Sequence, residues 1–259
     1  MTHTGFISLI LFLLSLLFGI TFTGCGYGGN GNIQVERREV GSFKTVVIEE
    51  GGSGPDFTIN GRRLSGFKIK LLKDTVEYVS LEYDENLLHH IKTETVGGRL
   101  IIRPKKMLFS RRDINVSVHY VNIERIEASA FADITFGNPY EGKRLQIEMA
   151  GACRLKGEVY ADVLDMDMAG LAEVDLDGKT RKMKGEFAGS GNYRGFGLIT
   201  DTCILDISGA ADAQTNVLQY LKVDVAGAGN VTYRGNPKVE QEVVGTGEVR
   251  RSDKADDNH

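Results

Sequence analysis

The feature that most constrains this chain is a four-residue phrase that recurs between Glu127 and Arg251. It is written Glu127-Ala-Ser-Ala130, Glu148-Met-Ala-Gly151, Asp167-Met-Ala-Gly170, Glu186-Phe-Ala-Gly189, Asp206-Ile-Ser-Gly209, Asp224-Val-Ala-Gly227 and Glu242-Val-Val-Gly245. A second small residue follows two positions after each Gly position: Ala132, Cys153, Ala172, Gly191, Ala211, Gly229 and Gly247. The steps between Gly positions are 21, 19, 19, 20, 18 and 18. A period near 20 marks a solenoid, whose units bury their apolar faces only by stacking on their neighbours.

Each unit reads as strand. Ile147-Glu148-Met149 and Leu205-Asp206-Ile207 alternate apolar and acidic, the period of a strand with one buried face. The Gly is a corner, where φ is free to be positive or another backbone comes close. A second strand follows, as in Glu173-Val-Asp-Leu176 and Asn230-Val-Thr-Tyr233, and then a further bend at Gly157, Asp177-Gly178, Gly195 or Gly235. No helical period is present. Two or three corners in about 20 residues suit one turn of a parallel β-helix, with rungs about 4.8 Å apart.

Stacking at that period predicts two polar columns. The first is the acid three residues before each Gly position: Glu127, Glu148, Asp167, Glu186, Asp206, Asp224 and Glu242. Seven like charges at rung spacing cost energy unless they are solvated, paired or bridged. A solvated outer face that discourages edge pairing is the plain reading, and a strip for cations or a cationic partner is the functional one. A single column of strand carboxylates makes a poor calcium cage. The second column is Asp133, Arg154, Glu173, Asn192, Asp212, Asn230 and Glu248, in which Arg154 is placed to pair with Asp133 or Glu173.

The N-terminus is a targeting segment. Phe6 to Thr23 carries no charge, and Thr21-Phe-Thr-Gly24 precedes Cys25. Small residues before a Cys are the pattern of a bacterial lipoprotein signal, although the segment before Phe6 has no Lys or Arg. Residues 1–24 are therefore expected to be removed, Cys25 to carry the acyl (palmitate-type) anchor, and 25–32 to act as a flexible tether.

The half at 33–125 is strand-rich without the repeat. Val46-Val-Ile48, Phe57-Thr-Ile59, Phe67-Lys-Ile-Lys-Leu71, Val76-Glu-Tyr-Val-Ser-Leu-Glu-Tyr83, Arg99-Leu-Ile-Ile-Arg103 and Ile114-Asn-Val-Ser-Val-His-Tyr120 read as strands. Asn60-Gly61 and Gly97-Gly98 read as tight turns, and Asp84 to Ile91 as a helical turn between strands. No Pro- or Ser-rich linker separates the halves, so they are expected to share one sheet surface.

Gly31-Asn-Ile33, Arg37 and Arg38, then Phe43, together with Glu82-Tyr-Asp-Glu-Asn-Leu-Leu-His-His-Ile-Lys-Thr-Glu-Thr-Val-Gly-Gly-Arg-Leu-Ile-Ile102, carry a resemblance. The chain is similar, over about 31–250, to the auto-transporter adhesin head GIN domain family. The resemblance implies a β-helical, secreted or lipid-anchored bacterial protein. It brings no catalytic residues.

The sequence thus predicts an all-β, right-handed parallel β-helix, its handedness following the general preference of parallel crossovers. The half at 33–125 continues into about seven rungs at 126–251, and 252–259 is a polar tail. The function expected is a lipid-anchored cell-envelope adhesin or binding module without catalysis, its partners being the membrane through Cys25 and an extracellular glycan or protein. The alternative is a carbohydrate-active lyase or hydrolase using Asp133, Arg154, Glu173 and Asp212. No metal or cofactor is expected, because His89-His90 and His119 lack zinc spacing. With 31 basic and 35 acidic residues, no nucleic-acid partner is expected. Cys153 and Cys203 fall about three rungs apart, roughly 14 Å and beyond disulfide reach, and are expected to be buried thiols that do not bridge.

Overall fold

The structure, a computed structural model, describes residues 27–49, 58–59, 62–63, 65–129 and 131–252. The leader at 1–24, Cys25, the turn Asn60-Gly61, the corner Ala130 and the tail beyond Ser252 lie outside the described residues.

The protein is all-β, with 73% of the described residues in strands wound into about seven turns of a solenoid. Long bent strands each trace most of one rung: Tyr140–Gly151, Arg154–Gly170, Glu173–Gly189, Asn192–Gly209 and Asp212–Gly227. Each pairs in parallel with the next, so residues one period apart stand directly over one another. The inward positions form apolar columns. One runs Met149, Met168, Phe187, Ile207, Val225, another Leu145, Leu164, Met183, Cys203, Leu221, and both are buried throughout. Leu155, Val174, Tyr193, Ala213 and Val231 face them from the second wall. At about 1.5–3 kcal/mol per large buried side chain, these columns are the main cohesive term of the fold. They exist only because the alternation inside each strand matches the period between strands.

The corner shows why the phrase ends in glycine. The carbonyl of Gly170 accepts the Ser190 amide at 3.0 Å, binding one rung to the next. A Cβ on Gly189 would sit 2.5 Å from that same oxygen, and Gly189 has a φ of 124°. Rung spacing and corner geometry together exclude a side chain there.

The half at 33–125 closes the N-terminal end of the solenoid. On one wall, Thr45–Ile48 pairs in parallel with Arg125–Ala128 and with Arg99–Pro104, which folds back antiparallel on Ile91–Val96. Gly97 and Gly98 make that turn with φ of 59° and 74°, as a two-residue hairpin requires. On the other wall, Phe67–Lys73 stacks on Ala132–Phe136, then Ile114–Tyr120, Tyr78–Asp84 and Ile33–Glu39 follow, the last two pairings antiparallel. The halves therefore share one sheet, as expected. Among the described residues, Lys238–Gly245 and Glu248–Arg251 form the last rung at the other end of the solenoid, with Val244 64% exposed.

One local reading changes. The tether expected at 25–32 is, from Tyr27 onward, tied to the domain: Tyr27–Gly28 pairs in parallel with Leu108–Phe109, and the Gly31 amide donates to Asp84 Oδ1 at 2.6 Å. The helical turn expected at Asp84 to Ile91 forms as a 3-10 helix, Glu85–His90, and the imidazoles of His89 and His90 lie 3.8 Å apart. Cys153 and Cys203 are both buried and no disulfide joins them. Burial pushes the Cys203 thiol up to about 12, against a hydrogen bond from Thr215 Oγ1 at 3.6 Å.

Candidate functional site

Stacking turns the repeated acid into a ladder. Glu127 lies over Glu148, Glu148 over Asp167, and so on through Glu186, Asp206 and Asp224 to Glu242, without a break. The ladder is not left to solvent alone. Arg99 donates through both terminal nitrogens to Glu127, at 2.8 and 2.5 Å, from the capping hairpin. Arg125 reaches Glu148, Lys184 bonds Glu186, and Lys222 bonds Asp224 at 2.7 Å. Arg125, Lys184 and Lys222 each stand two residues before an acid of the ladder. The spacing i, i+2 puts two strand residues on one face, so Arg125-Ile-Glu127, Lys184-Gly-Glu186 and Lys222-Val-Asp224 were a readable signal that attention to the acids alone passes over. Arg99, 28 residues from Glu127, had no such signal.

The pairing is incomplete. Asp167, Asp206 and Glu242 form no ion pair among the described residues. At Asp167, partial loss of solvent between the rungs, then the charges of Glu186 and Glu148, raise the carboxyl above the ordinary range. Two open depressions share this face. One, of about 260 Å³, is lined by Arg144, Gln146, Glu148, Asp165, Lys184 and Glu186, and the other, of about 370 Å³, by Arg99, Glu49, Glu127, Ser129, Glu148 and Asp167. Both are lined by several charged and polar side chains and are open to solvent.

The second column also forms as expected: Asp133, Arg154, Glu173, Asn192, Asp212, Asn230 and Glu248 stand in register. Arg154 bridges both neighbours, Asp133 at 3.1 Å and Glu173 at 3.3 Å, and Asn230 donates to Asp212 at 2.9 Å. The four residues proposed for glycan cleavage are thus held in a structural ladder. His119 stacks on Tyr78 at 3.9 Å and meets Asp74 at 2.9 Å, away from both columns. Among the described residues no group of three or more His, Cys, Asp or Glu is placed to hold a metal. Cys25 is outside them.

The family model described as "Putative auto-transporter adhesin, head GIN domain" matches residues 64–237, about two thirds of the chain. The chain belongs to this family. The matched span holds the segment Glu82 to Ile102 and most of the repeats, while the opening at Gly31 to Phe43 precedes it. Solved structures share the fold of this GIN domain. A crystal structure titled "putative adhesin" from Bacteroides fragilis superposes with a TM-score of 0.77 at 15% identity, over 88% of this chain and 100% of that one. A "putative lipid binding protein" from Parabacteroides distasonis gives 0.68 at 18%, over 88% and 100%. A "putative adhesin" from Parabacteroides merdae gives 0.67 at 19%, over 88% and 99%. No curated protein matches the sequence. A cell-envelope or surface setting goes with the adhesin family, and no helix among the described residues is long and apolar enough to cross a membrane.

Proposed function

We propose that this GIN domain is a lipid-anchored module of the bacterial cell envelope that binds an extracellular polymer or protein without catalysis. The observation that carries the reading is the unbroken acid ladder, paired at Glu127, Glu148, Glu186 and Asp224 but left open at Asp167 and Asp206 on a rigid wall. A repeating array of partly neutralised carboxylates presents the same contacts at every rung, and so suits a repeating or extended partner carrying positive or hydrogen-bond-donating groups. The family description, the fold neighbours and the Cys25 pattern support an anchored envelope protein. The alternative, glycan cleavage by the second column, draws no support from its geometry, since Arg154 already occupies the carboxylates of Asp133 and Glu173.

The test is binding of the full-length protein to an array of envelope polymers and glycans, with the bound material recovered and its mass measured. Saturable binding that weakens in the double variant Asp167→Asn/Asp206→Asn, with the polymer intact, supports the reading. Shortened product would overturn it, and binding indifferent to the ladder would remove the ladder from it.

A further inference from the structure

We propose that the surface around Tyr27, carrying Lys105, Lys106, Arg111 and Arg112, is a docking face for anionic phospholipid headgroups that lays this end of the solenoid against the bilayer. The proposal rests on the reading of Cys25 as the acylated residue and goes beyond it, because an anchor alone does not say which face meets the membrane.

The argument begins with chain length. The domain expected to start at residue 33 starts at Tyr27, whose amide donates to Met107 O at 3.1 Å while that of Gly29 donates to Phe109 O at 2.8 Å. Two residue steps separate Cys25 from Tyr27, and an extended chain covers at most about 7 Å in two steps. An acyl chain on Cys25 inserted in a bilayer therefore brings Tyr27 to the headgroup layer, and with it the strand Leu108–Phe109 that Tyr27 lies along.

The chemistry of that surface fits a phosphate-rich layer. Lys105 and Lys106 precede the strand, Arg111 and Arg112 follow it, and all four are exposed. None makes an ion pair among the described residues, whereas the bases of the ladders are spent on carboxylates. The acids nearby are engaged elsewhere: Asp84 is buried and accepts from the Gly31 amide and from Ser110 Oγ at 2.5 Å, and Asp113 meets Lys68 at 3.3 Å. Glu85, exposed in the 3-10 turn that carries His90, is a countercharge close to His90 in sequence. Tyr27, 39% exposed, stacks on His90 at 4.0 Å with the Lys106 ammonium 5.1 Å over its ring. An amphipathic tyrosine flanked by lysines is the composition favoured at a membrane–water interface, and bases within a Debye length of an anionic leaflet are attracted to it. His90 reports the local field: burial, then His89, Lys105 and Lys106, lower its proton affinity.

The chain contains no Trp, so one introduced Trp is a unique fluorophore. Full-length His89→Trp protein would be reconstituted in vesicles of phosphatidylcholine, with or without about 30% phosphatidylglycerol, each doped with a headgroup nitroxide quencher. Tyr220→Trp, on the solenoid wall, is the control. The expected result is quenching of His89→Trp about twofold or more stronger with the anionic lipid. It falls to the zwitterionic level in high salt and in the Lys105→Ser/Lys106→Ser/Arg111→Ser/Arg112→Ser background, and the control stays unquenched. Should that background melt early, Arg111→Ser/Arg112→Ser alone carries the comparison, since neither side chain makes a hydrogen bond or ion pair among the described residues. Equal quenching in both vesicle types, or quenching that survives removal of the bases, overturns the proposal. The intact mass of the same preparation reads the anchor separately. Acylated Cys25 with lipid-independent quenching sinks the docking face and leaves the anchor, and unmodified Cys25 with phosphatidylglycerol-dependent quenching does the reverse.

Discussion

Replacing Gly189 by Ala tests the stacking geometry more directly than any core substitution, because a matched control exists in the same chain. Gly97 has a φ of 59° and open space around its α-carbon, whereas Gly189 has a φ of 124° and the Gly170 carbonyl where a Cβ would go, at 2.5 Å. Both changes stiffen the unfolded chain, a gain of about 0.4–1 kcal/mol. At Gly97 the left-handed conformation costs about 1–2 kcal/mol, leaving a net loss of about 1 kcal/mol or less. At Gly189 the backbone lies outside the left-handed well, at about 1–3 kcal/mol. The carbonyl must also move from under the new methyl, which puts the Ser190 bond to it at risk for about 1 kcal/mol more. The unfolded-chain gain cancels in the comparison, so the expected difference is about 1.5 kcal/mol. For a domain of this size Gly97→Ala should then lower Tm by about 2–3 °C and Gly189→Ala by about 5–9 °C. Thermal melts followed by circular dichroism at one scan rate compare them. Equal shifts would mean that the rungs can part locally at no cost, and the steric account of the repeated glycine would be wrong.

Four further outcomes follow from the same geometry. Asp167→Asn removes a carboxylate whose folded-state proton affinity is raised, so the native protein holds that proton more tightly than the unfolded chain and wild-type stability falls as pH rises through the carboxylate range. The variant should be more stable at neutral pH by about 0.5 kcal/mol and equal to wild type in strong acid, as urea titrations at the two pH values would show. Arg154→Ala should cost about 1 kcal/mol or less, shrinking with added salt, because its partners are exposed; a loss that persists in high salt would count against the pairing. Burial pushes the phenols of Tyr83, Tyr120 and Tyr140 up to about 12. The folded state therefore keeps protons that the unfolded chain releases above about pH 10, and stability should drop between there and pH 12, measured as the fall in urea midpoint. Finally, iodoacetamide on the native mature protein should add no label if Cys25 is acylated and two labels after unfolding, since Cys153 and Cys203 are buried; one native label would speak against the anchor.

The columns were open to inspection in the sequence because a solenoid writes its third dimension along the chain. Residues 18 to 21 apart are neighbours in space, so Glu148 over Asp167, or Arg154 between Asp133 and Glu173, could be placed without knowing where any strand lies. The rest of the candidate site was hidden for two reasons. Arg125, Lys184 and Lys222 follow a strand rule, not the repeat, and need the face of each strand to be assigned first. Arg99 and the basic patch depend on contacts between segments with no common period: Glu127 meets Arg99 across the capping hairpin, and Tyr27 meets Lys106 and His90 across more than sixty residues.

The sequence by itself determined the β class, the rung period, the glycine corner, the two polar columns and the burial of both cysteines. Each of these follows from alternation within a strand and repetition between strands, which are local properties. Only the tertiary structure decided how the non-repeating half closes the solenoid, which acids are neutralised, and where the chain enters the domain. Those outcomes rest on hydrogen bonds and ion pairs between distant segments, whose free energy depends on a shared spatial frame that no single stretch of residues encodes.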